Sequence, residues 1–164
     1  MHAATGLGYD CHRFAAGRRL VLGGIEIAHE LGLDGHSDAD VLTHAIIDAL
    51  LGAAALGDIG QQFPDTDARY KGADSIELLR TTVAMLAARG LRVRHVDATV
   101  VLERPKVAPA REAIRARLAQ ALGVGVESVS VKATRGEGMG FVGRGEGAAA
   151  LAVATVEPVA PEGR

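Results

Sequence analysis

Apolar residues recur along this chain at two spacings, and the switches between them divide it into helix-like and strand-like stretches. From Ser37 to Leu51 the residues Val41, Leu42, Ala45, Ile46, Ala49 and Leu50 follow the helical period. Ser37 is the N-cap candidate, with Asp38 and Asp40 favourable at the positive end of that helix. A second helix is predicted from Asp74, its cap, with Glu77 three residues on, through Ile76, Leu79, Val83 and Leu86 to a stop at Gly90. A third runs from Pro109 to Leu122, with Gly123 after it.

Period-two stretches predict the strands. Arg19 to Leu22 and Ile25 to Ile27 flank Gly23-Gly24, a hairpin turn in which both central residues can take positive φ. Arg92 to Leu102, Ser128 to Thr134 and Ala148 to Val156 are further strands, and the segment around Asp10 is extended. The order is strand and hairpin, helix, helix, strand, helix, strand, strand. It predicts an α/β protein of the α+β type, a mixed sheet with helices on one face. Ala148 to Ala154 is small and apolar on both faces and reads as buried on both sides. A domain of this size has little to cover a second sheet face, so oligomerisation is expected.

Composition narrows the function classes. The 164 residues suit one domain, 1–164, and their 48% hydrophobic content excludes a disordered chain. Eighteen Lys and Arg against 20 Asp and Glu leave no basic footprint for a nucleic acid, and aromatics at 3% offer no base-stacking platform. No stretch is long and apolar enough for a bilayer; Ala45 to Leu56 is interrupted by Asp48. The lone Cys11 and an N-terminus without a signal-peptide pattern fit a reducing cytoplasm.

Three places carry candidate chemistry. On an extended segment Asp10 and His12 point to one side, where they can close on one ion, while Cys11 points away. By themselves they read more readily as a strand end with exposed polar residues. His36 lies just before a helix, and His44 interrupts its apolar run; the alternative for His44 is a core histidine satisfied by a backbone carbonyl. Taken together, Asp10, His12 and His44 make a two-His, one-carboxylate set with a fourth position open, the pattern of a catalytic Zn²⁺ site. Asp58, Asp65 and Asp67 follow in a turn-rich loop, and Lys132 to Gly147 combines cations, hydroxyls and glycines that can present backbone N–H groups to phosphate.

Seven segments resemble the 2-C-methyl-D-erythritol 2,4-cyclodiphosphate synthase family, in order from about Gly6 to Glu157. They are Gly8 to Phe14, His36 to His44, Asp48 to Gly60, Phe63 to Asp67, Lys71 to Ser75, Val131 to Thr134 and Gly143 to Gly147. The resemblance implies a homotrimer and one step of the non-mevalonate isoprenoid pathway. In that step the substrate's own 2-phosphate attacks the β-phosphorus of a cytidine diphosphate ester and expels CMP. It implies Zn²⁺ on Asp10, His12 and His44, and a second divalent ion, Mg²⁺ or Mn²⁺, on Glu137.

Carried over residue by residue, His36 and Arg135 are the catalytic positions. Asp10, Cys11 and His12, His36 and Ser37, Asp58, Ile59 and Gly60, and Phe63, Pro64, Asp65, Thr66 and Asp67 face the methylerythritol phosphate and the ribose. Leu102, Glu103, Arg104, Pro105, Lys106, Val107 and Ala108 form the cytosine slot, and Thr134, Arg135, Gly136 and Glu137 face the diphosphate. The family's sites are shared between neighbouring subunits, and Phe141 and Arg144 match positions that close an axial tunnel able to hold an isoprenoid diphosphate.

Two departures stand out. Arg135 replaces a hydroxyl residue that is frequent in the family, leaving only its backbone N–H for that role, and Val107-Ala108 is smaller than the usual pair. The competing readings are a zinc-dependent phosphodiesterase that uses water, and a trimeric metal-binding or ligand-sensing module without turnover.

Overall fold

The computed structural model describes residues 2–159. Its strands are β1 (Ala4–Ala15), β2 (Leu20–Leu22), β3 (Ile25–Ile27), β4 (Gly32–Leu33), β5 (Leu91–Val101), β6 (Val129–Thr134) and β7 (Gly147–Pro158). The helices are α1 (Val41–Ala53), α2 (Ile59–Gln62), α3 (Ser75–Ala88), α4 (Arg111–Leu122) and α5 (Gly140–Gly143). Five strands form one sheet in the order β4-β1-β7-β5-β6, and β2 and β3 form the separate hairpin. β7 runs antiparallel to both β1 and β5, whereas β5 and β6 are parallel, so the sheet is mixed as predicted.

Small residues set how closely the first helix lies on the sheet. A Cβ added to Gly8 would stand 1.9 Å from the Ala45 carbonyl oxygen, and one on Gly6 would stand 2.0 Å from that of Ala49. Ala148, Ala150, Ala152 and Ala154 of β7 face the same helices and are buried. Any larger side chain in these rows would lift α1, and with it His44, away from the strand that carries Asp10 and His12.

The Gly23-Gly24 hairpin forms as predicted, with φ of 58° and 73°. Its turn N–H groups donate to the Asp40 carboxylate at 2.9 and 2.7 Å, and Thr43 donates to the same group from N and Oγ1. Asp40, fully buried, is therefore the N-cap of α1, and the helix begins at Val41. The expected cap, Ser37, lies three residues too early; its hydroxyl accepts from Ala39 N in the preceding turn. α3 starts on its predicted cap, Asp74, and α4 ends on left-handed Gly123. Pro109 belongs to a short 3₁₀ turn before α4 and is not its first residue.

The second sheet face departs from expectation. Leu151 and Val153 are each 41% exposed and lie beside Leu7 and Tyr9, exposed at 68% and 53%. Burial of the Ala148 to Ala154 stretch on both sides is thus not achieved within one chain. Its even-numbered positions pack under the helices, and the odd side of β7 is left open at Leu151 and Val153. Among the described residues no helix is long and apolar enough to cross a membrane.

Candidate active site

Alternation along β1 puts Asp10 and His12 on the helix side of the sheet and leaves Cys11 exposed. His44, on the first turn of α1, comes down between them. Asp10 Oδ2 lies 2.9 Å from His12 Nε2 and 3.0 Å from His44 Nδ1, and the two ring nitrogens are 3.2 Å apart. A tetrahedral ion with bonds of ~2.0–2.1 Å has ligand-to-ligand edges of about 3.3 Å, so three donors already sit near the spacing such an ion requires. Two imidazole nitrogens and one carboxylate oxygen fit Zn²⁺ in donor type as well. Among the described residues this is the one cluster of three or more His, Cys, Asp or Glu side chains that could hold a metal.

Neighbouring groups orient these donors. His12 Nδ1 lies 2.8 Å from the Asp34 carbonyl oxygen, which can only accept, so Nδ1 carries a hydrogen and Nε2 is the nitrogen turned to Asp10 and His44. Burial pushes the Asp10 carboxyl up, but hydrogen bonds and positive charge from His12 and His44 outweigh it and bring the pKa down to about 2. For His12, burial works against the charged form while Asp10 and the Asp34 carbonyl favour it, and the net shift is upward. His44 is not the core histidine paired to a backbone carbonyl that the apolar run allowed. Its Nε2 lies 2.8 Å from Ser75 Oγ and 3.2 Å from Ser37 Oγ. Ser75, His44 and Asp10 fall in the order of a serine nucleophile triad. Yet Ser75 is completely buried and its hydroxyl already donates to Asp38, so it has no access to a substrate.

The donor cluster lies in a cleft of about 460 Å³ that His36, Ser37, Ile59, Gly60, Phe63 and Asp65 also line. Sequence reasoning missed Gly35, Tyr70 and Leu78 in this lining; Tyr70 packs edge-on against Phe63, with centroids 5.4 Å apart. The turn-rich loop contains α2, whose N-cap Asp58 accepts from Gln61 N, and a 3₁₀ turn capped by Asp67. Asp67 is further engaged by Arg69, so in this chain Asp58 and Asp67 shape the loop, while Asp65 and Ile59 reach the cleft. Pro64, Thr66 and Cys11 do not line it. Asp48, on α1 one turn after His44, accepts from Ile59 N at 2.7 Å and fastens the loop to the helix that carries His44. The hydrophobic pattern by itself showed Asp48 as an interruption of an apolar run.

A second cleft, of about 770 Å³, is lined by Leu102 to Ala108 together with Ala133, Thr134 and Arg135. His29, Glu30 and Arg111 complete it, and no spacing in the sequence pointed to them. Arg111 Nε is buried there without a hydrogen-bond partner. Gly136 N donates to Glu103 at 3.0 Å, which ties the loop after β6 to the segment after β5. Glu137 is exposed with its Oε1 3.6 Å from an Arg135 nitrogen. One carboxylate suits Mg²⁺ or Mn²⁺ where substrate phosphates supply the other oxygens. Phe141 and Arg144 lie on and just after α5, outside both clefts, and Arg144 is paired with Glu146 at 2.7 Å. The two clefts share no lining residue.

The model of the YgbB family matches residues 3–157. A protein of Dechloromonas aromatica named 2-C-methyl-D-erythritol 2,4-cyclodiphosphate synthase is 55% identical over 159 residues, covering 97% of this chain and 99% of its own. A bifunctional enzyme IspD/IspF of Anaeromyxobacter dehalogenans is 63% identical over 151 residues, 92% of this chain, of which it spans 39% of the relative's length. Among solved structures, a 2C-methyl-D-erythritol-2,4-cyclodiphosphate synthase with CDP bound is 35% identical, with a TM-score of 0.86 and coverage of 93% and 99%. The bifunctional IspDF of Campylobacter jejuni reaches a TM-score of 0.92 at 40% identity, covering 95% of this chain and 42% of its own.

Proposed function

The chain belongs to the YgbB family, and from that premise we propose that it converts 4-diphosphocytidyl-2-C-methyl-D-erythritol 2-phosphate to 2-C-methyl-D-erythritol 2,4-cyclodiphosphate in isoprenoid precursor synthesis. An oxygen of the substrate's 2-phosphate bonds to the β-phosphorus. The bond from that phosphorus to the α-bridging oxygen breaks, and CMP leaves with the electron pair. Such a phosphorus–oxygen lyase needs no nucleophile from the protein. The observation that carries the reading is the Asp10–His12–His44 cluster, already near ligating geometry in an open cleft.

The protein's part is to hold the substrate folded so that its two ends meet, which in intramolecular cases is worth as much as ~7–11 kcal/mol. Zn²⁺ on Asp10, His12 and His44, and Mg²⁺ or Mn²⁺ on Glu137, supply Lewis-acid neutralisation of phosphoryl oxygens when bound. His36, Ser37 and Asp65 bind the methylerythritol phosphate, with Asp58 to Gly60 along the ribose. Leu102 to Ala108, with Lys106 central, take the cytosine, and the Thr134 and Arg135 backbone faces the diphosphate. The Arg135 guanidinium adds positive charge where a Thr supplies a hydroxyl in many relatives.

The active form is a homotrimer with sites shared between adjacent copies. This is supported by the open apolar patch of Leu7, Tyr9, Leu151 and Val153 and by two clefts with no residue in common. An isoprenoid diphosphate on the trimer axis is read at Phe141 and Arg144; it must compete with Glu146 for the guanidinium. The cytoplasm is the proposed location, supported by the single cysteine.

Phosphorus NMR of the reaction mixture tests the activity. The expected result is CMP and a cyclic diphosphate in equal amounts. A linear bisphosphate would make the protein a hydrolase, and no turnover with zinc and Mg²⁺ present would leave it a binding module.

A further inference from the structure

Resting on the zinc reading of the cleft, we propose that Ser75 and Asp38 are positioning residues that set the tautomer of His44 and thereby the affinity of the metal centre. Ser75 opens α3, is completely buried, and faces two groups at once. Its Oγ donates to Asp38 Oδ1, and the other Asp38 oxygen accepts from Ser75 N at 3.0 Å. Asp38 is also held in place by Asp40 N, at 3.2 Å from Oδ1.

The order of donors follows from chemistry. A serine hydroxyl has one hydrogen, and a carboxylate can only accept, so the Ser75 hydrogen goes to Asp38. Towards His44 Nε2, 2.8 Å away, Ser75 then presents a lone pair. A neutral imidazole facing that lone pair carries its hydrogen on Nε2 and leaves a lone pair on Nδ1, the nitrogen that points at Asp10 and His12; without an ion the Asp10 carboxylate, 3.0 Å away, draws a hydrogen to Nδ1, and the Ser75 contact opposes that pull. Reversing the Ser75 hydroxyl would favour the other tautomer and put a hydrogen where the ion belongs. Ser37 Oγ, the alternative neighbour of Nε2, is farther at 3.2 Å and lacks a carboxylate behind it.

Ser75→Ala removes the hydroxyl and leaves the backbone donation to Asp38 intact. In the full-length protein, zinc affinity measured by competition with a chromophoric chelator should fall roughly 10–100-fold in Ser75→Ala, the range found when outer partners of ligating histidines are lost. Asp38→Asn should weaken it in the same direction, and it carries the test should Ser75→Ala fail to fold. In the zinc-free protein, ¹⁵N histidine NMR should show a larger share of His44 with hydrogen on Nε2 in the wild type than in Ser75→Ala, where Asp10 draws it to Nδ1. Zinc affinity within threefold of wild type in both variants, or a lowered zinc-free Tm with unchanged affinity and tautomer, would overturn the proposal and leave Ser75 as a helix-start residue. A wild type that binds no zinc, with the tautomer as stated, would instead remove the zinc reading.

Discussion

The two clefts differ in how far each is finished within one chain. Around Asp10, His12 and His44 the polar atoms already answer one another, and they sit on β1 and α1, pressed together at Gly6 and Gly8. Around Leu102 to Ala108 the charged groups mostly wait. Arg111 Nε has no partner, the Arg135 side chain is 61% exposed, and Lys106 is exposed. A site built on paired strands and a helix can be preorganised by its own packing. A loop-built site rich in cations needs an anion or a neighbouring copy to complete it.

The sharpest way to break this contrast is to disable each cleft separately. His44→Ala should lose stoichiometric zinc and lower kcat by about three orders of magnitude, as removing one preorganised electrostatic group does. Lys106→Glu should be similarly inactive on the nucleotide side. If sites are shared around a ring, refolding the two variants together should restore about a quarter of wild-type activity, because one pairing in four joins two intact halves. Activity no higher than the sum of the separate variants would place both clefts of a working site in one chain.

The rigidity of the first cleft is tested next. Gly8→Ala puts a methyl 1.9 Å from the Ala45 oxygen, so α1 must shift, at a cost of about 3 kcal/mol. Thermal unfolding should show Tm lowered by roughly 6–12 °C, and chelator competition should show weaker zinc binding. An unchanged Tm would mean that the helix is not held against β1 as described.

The smallest effect is expected in the adaptable cleft. Lys106→Ala should raise KM roughly tenfold, the size of one charge-assisted hydrogen bond, with kcat within about threefold. Initial-rate kinetics over substrate concentration separate the two constants. A fall in kcat with unchanged KM would move Lys106 out of nucleotide binding.

Much of the fold was legible because its signals are local. The Gly23-Gly24 turn, the Asp74 cap and the Gly123 stop each act within a few residues, and each stands where the pattern put it. The donor cluster was half legible. Alternation along one strand brings Asp10 and His12 to one side, but only a resemblance or a fold brings His44 down from another element. The cap of α1 was misplaced for the same reason. Asp38 and Asp40 look alike in sequence, and only the arrival of the hairpin turn at Asp40 makes that carboxylate the cap, while Ser75 claims Asp38.

Elements with their own capping and periodicity, the alternation of buried and exposed faces and the kinds of donor available were therefore set by the sequence by itself, since each depends on neighbours along the chain. Which face of β7 stays open, which loop Asp48 fastens, and why Ser75 orients His44 were decided only by the tertiary structure. Hydrogen-bond partnership and burial there depend on groups 11, 31 and 37 residues apart, and no local preference encodes their meeting.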